Sequence, residues 1–173
     1  MANRIDTDLK SHQLRARKVV AETMDSQRYL ALLETLQRWR TDPPLPESPS
    51  LKALTKRARR AERKADRRLA EAIEAGDDAL LHRARKAAKR ARYAAELRTP
   101  VDKEAKATAK RYKQFQRVLG DHQDGVVALS TLHRLALTAG TTQGENGFTF
   151  GLLYAREQQA AATARERVRE LLG

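Results

Sequence analysis

Hydrophobic and polar positions repeat with the period of an α-helix along most of the chain. Alanine, leucine, arginine, lysine, glutamate and glutamine dominate, and no β-branched or aromatic cluster alternates with the period of two that marks a strand. The predicted fold class is therefore all-α, an antiparallel bundle of long helices joined by short loops.

Two helices are predicted before a proline-rich break. The segment "SHQLRARKVVAETM", residues 11–24, is typical of a first helix, and Asp25-Ser26 predicts the cap of a second helix, "QRYLALLETLQRW". The stretch "TDPPLPESPS", residues 41–50, then holds four of the five prolines, which cannot continue a helix. Trp39 is expected in a core or at an interface between lobes.

The remaining helices are longer and are bounded by aspartate and glycine. Gly76 is a suitable C-terminal stop, Asp77 or Asp78 a suitable cap, and Gly120 is expected to end a helix before another begins at Asp121 or Asp124. The predicted helices are 50–75, 77–99, 101–119, 121–139 and 148–172, which brings the total to about seven.

This pattern predicts three parts of the chain. Residues 1–41 form N-terminal helices, interpreted as an inter-lobe or swapped segment. Residues 42–50 form a Pro-rich hinge, and residues 51–173 form a basic bundle of four to five helices.

The positive charge is concentrated in the middle of the chain. Residues 51–117 carry 22 basic and 9 acidic side chains, whereas residues 1–50 and 118–173 are nearly balanced, so the middle third holds the whole net charge of +13. Such a concentration costs self-repulsion and favours a polyanionic partner. No cysteine, signal peptide or long apolar run is present, which predicts a cytoplasmic protein.

The segment "LLHRARKAAKRARYAAEL", residues 80–97, has one cationic helix face and one face of alanine. At 100° per residue, His82, Arg85, Lys89 and Arg92 fall within 80° of each other, opposite the alanines. Small residues allow a close approach to neighbouring helices, so the long basic side chains would project as a dense row.

Basic rows recur on the neighbouring predicted helices. "KRARRAERKADRR", residues 56–68, holds eight basic residues, and Lys103, Lys106, Lys110, Lys113 and Arg117 follow each other at spacings of 3, 4, 3 and 4. Two interpretations remain open: the rows converge on one groove, or each is a separate solvated face. The lack of interleaved glutamate in residues 82–92 favours the first, because surface helices usually pair Glu with Lys.

Two stretches resemble the CHAD domain, the conserved histidine α-helical domain. The first is His82-x-x-Arg85-x-x-x-Lys89-x-x-Arg92-Tyr93-x-x-Glu96. The second, "FQRVLGDHQDGVVALSTL", residues 115–132, is similar to the family's Leu-Gln-x-x-Leu-Gly-Asp-x-x-Asp signature, with Phe115 in place of leucine. The likeness is mainly to the C-terminal lobe.

The resemblance implies an all-helical, two-lobed domain that binds inorganic polyphosphate in a basic cavity and has no catalytic role. It also implies association with polyphosphate granules. Carried over by position, the phosphate contacts would be His82, Arg85, Lys89 and Arg92. Together with the basic rows, the candidate polyphosphate-binding residues are His82, Arg85, Lys86, Lys89, Arg92, Lys106, Lys110, Lys113, Arg117, Arg60 and Lys64.

The chain departs from the family in length. Family members contain a first lobe with its own His-x-x-Arg helix, whereas here His12-x-x-Arg15 is followed by Val19 and Glu22, so no cationic row forms. A single lobe would lack half of the cavity wall. A homodimer that restores two lobes is therefore expected, and a fragment of a longer domain is the alternative.

Other chemistry finds little support in the sequence. No cysteine ligand, His-Glu-x-x-His, phosphate-binding loop or Gly-x-Ser-x-Gly is present, so we expect no metal, no cofactor and no enzymatic activity. Asp121-His122-x-Asp124 is interpreted as a helix-start cap in preference to a metal site. His82 has two open interpretations: a protonated anion ligand, or a neutral histidine bonded within the bundle.

The predicted function is therefore non-enzymatic binding of polyphosphate through a cationic groove. The first alternative is a nucleic-acid-binding helical protein, which the same charge would serve. Against this, single-strand binders need exposed aromatic platforms, and the basic third holds only three aromatic residues. The second alternative is a basic docking module for an acidic protein partner.

Overall fold

A computed structural model of the chain describes residues 1–44 and 50–173, and all regular structure in these residues is helical. The prediction of an all-α fold is confirmed. The described helices are α1 (Ala2–Met24), α2 (Gln27–Thr41), α3 (Leu51–Ala75), α4 (Asp78–Glu96), α5 (Ala105–Ala139) and α6 (Phe148–Leu172).

The helices divide into two compact units. The first holds α1 and α2, and none of its described residues is buried. Trp39, which was expected in a core or an interface, has 46% of its surface exposed. The second unit holds α3 to α6. Residues 45–49, the centre of the predicted Pro-rich hinge, lie outside the described residues.

Local capping chemistry sets several helix ends where it was predicted to. The side chain of Ser26 accepts a hydrogen bond from the Tyr29 amide, and Asp77 Oδ1 accepts one from the Leu80 amide at 2.7 Å. Gly76 ends α3 with φ of +64°, a left-handed conformation that glycine adopts without steric cost.

The predicted break at Gly120 is wrong. One helix, α5, runs through Gly120, and neither Asp121 nor Asp124 starts a helix. Gly120 does not end the helix because it lacks the positive φ that Gly76 adopts at the end of α3. It faces α4, where a Cβ atom built on it would meet Nε of Arg85 at 3.7 Å, an ordinary van der Waals distance.

The core of the second unit is built from small residues on α4 and larger ones on its neighbours. Tyr112, Phe115 and Leu119 of α5 and Leu69 of α3 are buried in one cluster. Against them α4 contributes Leu81 and a row of fully or almost fully buried alanines, namely Ala84, Ala87, Ala88 and Ala91. The prediction of an inward alanine face on this helix is confirmed.

Polar contacts connect α3 to the N-terminal part of α5. The Tyr112 hydroxyl donates to Asp66 Oδ1 at 3.0 Å, and Nη1 of Arg111 donates to the same oxygen at 2.9 Å. Arg98, buried after α4, donates to Glu62 at 2.9 Å and also to Asp102. Both carboxylates of the basic segment 56–68 therefore pair with arginines outside the segment, and among its own cations Arg67 pairs with Glu71 of the same helix at 3.4 Å.

Candidate anion-binding site

The cationic row of α4 lies along its seam with α5. At one end, Nδ1 of the half-buried His82 donates to Oε1 of Gln123 at 2.9 Å, because an amide oxygen can only accept. Its Nε2 is left for other partners and is a donor when the ring is protonated. His82 also lines an open cavity of about 470 Å³ with Asp78 and Arg83.

Arg85 occupies the middle of this seam. Its guanidinium packs against Gly120 of α5, and its buried Nε makes no hydrogen bond in the described residues. A buried polar group without a partner costs free energy, which is recovered if an acceptor binds beside it. An anion oxygen is such an acceptor.

Beyond Arg85 the seam opens into a groove of about 470 Å³, here called the α4–α5 groove. Arg92 is its wall on α4. Three cations of the α5 row, Lys110, Lys113 and Arg117, form the opposite wall. The lining also contains two amides, Gln114 and Gln116. One cation of the predicted α4 row and three of the predicted α5 row therefore line one surface.

Arg92 is held in position by three neighbours. Its Nη1 donates to Oε1 of Gln116 at 2.9 Å, its Nε lies 3.1 Å from the carboxylate of Glu96 without hydrogen-bond geometry, and its guanidinium carbon lies 4.7 Å from the ring centre of Tyr93. These contacts reduce the freedom that the side chain would lose on binding an anion. Glu96 also offsets part of its charge.

The α5 wall of the groove has no such compensation. Lys110, Lys113 and Arg117 form no ion pair with any described residue, and all three side chains are exposed. Residues three and four apart on a helix lie about 5–6 Å from each other, so the three like charges repel. A bound polyanion would relieve this repulsion.

The other predicted site residues lie elsewhere or at the margin of the groove. Lys89 is over the ring of Tyr93, 5.7 Å from its centre. Lys86 and Lys106 are exposed on α4 and α5 without lining the groove. Arg60 and Lys64 are exposed on α3, and the structure does not bring them to the groove.

His122 is buried inside α5, with 2% of its surface exposed, while Asp121 and Asp124 beside it are exposed. Its Nε2 lies 3.3 Å from Oδ1 of Asp78. Burial lowers the pKa of His122, the nearby Asp78 carboxylate opposes this, and Arg165 lowers the pKa further. The cap interpretation of this segment is wrong because it lies in the middle of a helix.

In residues 1–44 and 50–173, no three histidine, aspartate or glutamate side chains come together as a possible metal site. No helix in those same ranges contains an apolar stretch long enough to cross a membrane.

The amides of the seam were missed by sequence reasoning. Gln116 and Gln123 contact the cationic row of α4, and both follow the spacing of the α5 residues that face it, Gly120 included. The sequence therefore shows, by this spacing, that the two amides lie on the face of α5 that contacts α4. Amides carry no charge, so the charge pattern of the sequence does not reveal them.

Comparison with known proteins gives one family and two relatives. The model of the CHAD domain matches residues 1–133. Two uncharacterized proteins of Mycobacterium tuberculosis, Rv2226 of strain H37Rv and MT2285 of strain CDC 1551, are each 37% identical over 153 residues. The match covers 85% of this chain but 29% of each relative. No solved structure matches the chain.

Proposed function

Because the chain belongs to the CHAD domain family, we propose that it binds inorganic polyphosphate in the α4–α5 groove without catalysing a reaction on it. The family is associated with polyphosphate binding in general and is generally non-catalytic. The chain spans less than a third of its curated relatives, so the activity of those whole proteins is a separate question.

The observation that supports the proposal is the set of cations around one groove. Arg92 lies on one wall and Lys110, Lys113 and Arg117 lie on the other, so a linear anion between the walls would contact both helices. Arginine can fork onto two phosphate oxygens, and lysine acts as a point charge. Release of counterions from the anion would supply much of the binding free energy.

The aromatic residues favour a simple polyanion over single-stranded nucleic acid. Tyr112 and Phe115 are buried, with 1% and 0% of their surfaces exposed, and cannot stack on bases. Tyr93 is 45% exposed, but Lys89 and Arg92 lie over its ring. The site therefore offers charge and hydrogen-bond donors, which phosphate oxygens require, without an open platform for bases.

The test is polyphosphate binding by the wild type and by a groove variant, Lys110→Ala/Lys113→Ala/Arg117→Ala. A matched control variant removes three exposed cations that line a different surface on α3, Lys56→Ala/Arg59→Ala/Arg63→Ala. Both variants lose the same net charge. We expect the groove variant to lose most of its affinity and the control variant to keep most of it.

Competition separates polyphosphate from nucleic acid. Excess long-chain polyphosphate should displace labelled RNA from the wild type, and excess RNA should fail to displace labelled polyphosphate. Tighter binding of RNA, or equal losses of polyphosphate affinity in the two variants, would contradict the proposal. A homodimer and association with polyphosphate granules stay predictions of the sequence.

A further inference from the structure

A second cationic groove lies on the other side of α5, between α5 and α6. It has a volume of about 480 Å³ and is here called the α5–α6 groove. Arg156 and Arg167 of α6 line it, with Gln159 and Thr163 between them along the helix, and Asp121 lines it from α5. Residues 118–173 carry a net charge of −1, so the overall charge of this region does not indicate such a surface.

The polar α6 residues of this groove lie in one continuous row, in which the Thr163 hydroxyl already donates to the Gln159 carbonyl at 3.0 Å. Positions 156, 159, 163 and 167 follow at spacings of 3, 4 and 4, which is one face of a helix. Eleven residues at 1.5 Å each separate the two arginines by about 16 Å along the helix axis. Neither arginine forms an ion pair with a described residue, in contrast to Arg169, which pairs with Glu166.

The two grooves are separated by a single ridge of α5. Arg117 lines the α4–α5 groove, and the next residue, Val118, lines the α5–α6 groove. Asp121 lies one turn beyond Arg117, and side chains at this spacing are about 5–6 Å apart. A linear anion that leaves the first groove at Arg117 would meet the second groove directly.

We propose that the α5–α6 groove is a second subsite for linear polyphosphate, filled by chains long enough to cross α5 from the α4–α5 groove. This inference rests on the proposed function. Arg156 and Arg167 would bind the far end of the chain, and the side-chain amide of Gln159 would donate hydrogen bonds between them. The family match ends at residue 133, so the α6 residues of the subsite lie in a part of the chain that the match does not cover, whereas Val118 and Asp121 lie within it.

Asp121 determines how chain length affects binding. Its exposed carboxylate lies at the crossing and has no ion-pair partner in the described residues, so it repels a phosphate chain that passes there. A short oligomer held in the α4–α5 groove does not pass this crossing, so the Asp121 charge repels it less than it repels a long chain. The subsite therefore predicts opposite effects of Arg167→Ala and Asp121→Asn on long chains. On short chains it predicts no effect of Arg167→Ala and a smaller effect of Asp121→Asn.

The experiment measures the dissociation constants of tripolyphosphate and long-chain polyphosphate for the wild type and three variants. Arg167→Ala removes a groove cation, Arg169→Ala is its matched control two residues away on another face of α6, and Asp121→Asn removes the repulsive charge. We expect Arg167→Ala to weaken long-chain binding by roughly tenfold, as for one charge-assisted contact, and Asp121→Asn to strengthen it. Tripolyphosphate binding should be the same in the wild type, Arg167→Ala and Arg169→Ala, and in Asp121→Asn it should change less than long-chain binding does.

Long-chain affinity that is equal in Arg167→Ala and Arg169→Ala would overturn the second subsite. The proposed function would survive that result if the α5 wall variant Lys110→Ala/Lys113→Ala/Arg117→Ala still loses tripolyphosphate binding. If that variant bound both tripolyphosphate and long-chain polyphosphate as well as the wild type does, the proposed function and the second subsite would both be overturned. Because both arginines are exposed, thermal unfolding of each variant should match the wild type, which excludes misfolding as the cause of weaker binding.

Discussion

The salt dependence of polyphosphate binding tests the α4–α5 groove quantitatively. Each cation that neutralises a phosphate contributes about −0.7 to the slope of log affinity against log salt for a single-stranded polyanion. Lys110, Lys113 and Arg117 are the unpaired cations of the groove, so together they should contribute about −2. Arg92 should add less than a full increment because Glu96 already lies beside it.

The expected magnitude follows from this slope. A fourfold rise in salt should weaken wild-type binding about 20-fold through these three cations alone. The groove variant, Lys110→Ala/Lys113→Ala/Arg117→Ala, should lack this component. The assay is fluorescence anisotropy of an end-labelled oligomer, titrated at several potassium chloride concentrations.

The control variant on α3, Lys56→Ala/Arg59→Ala/Arg63→Ala, decides between the groove and the net charge. It should keep the wild-type slope, because its cations line a different surface. If both triple variants showed the same reduced slope, affinity would depend on the total charge of the protein, and the reasoning from groove geometry would be refuted.

Three predictions concern the stability of the fold. Because folding lowers the pKa of His122, the unfolded chain binds a proton as the pH falls that the folded chain does not bind. The free energy of unfolding should therefore be highest above about pH 6.5 and decrease below it. His122→Gln should reduce the change in melting temperature between about pH 7.5 and 5. Tyr112→Phe removes the bond to Asp66 and should cost about 1–2 kcal/mol in urea unfolding, and an unchanged midpoint would contradict a structural role. Ala91→Leu should cost about 1–3 kcal/mol by overpacking a fully buried site, whereas Arg90→Leu at the exposed neighbouring position should have little effect on the unfolding midpoint.

Helix ends were predictable where the chemistry that sets them is local. Asp77 caps α4 through a residue three positions away, and Gly76 ends α3 through its own backbone conformation. Gly120 misled the prediction because its backbone stays helical and it lies inside α5, facing Arg85, which is 35 positions away in sequence. The local sequence does not distinguish a glycine that ends a helix from one that lies within it.

Each wall of the α4–α5 groove could be predicted from the sequence separately. The spacing of Lys110, Lys113 and Arg117 places them on one face of a helix, and this face lines the groove. Arg60 and Lys64 belong to an equally basic row, but the rotation of α3 about its own axis is set by core packing with its neighbours, which local spacing does not specify. The α6 arginines were overlooked because balanced charge in the last third concealed their common face.

The alanine face of α4 has a consequence for how this helix is retained in the bundle. Each alanine methyl group buries little apolar area, so the hydrophobic free energy that holds α4 against its neighbours is small for a helix of 19 residues. A polyanion that contacts Arg92 and the α5 wall at once would act as a noncovalent cross-link over this seam. Ligand occupancy should therefore slow the detachment of α4, and amide hydrogens of that helix should exchange more slowly in the complex than in the ligand-free protein.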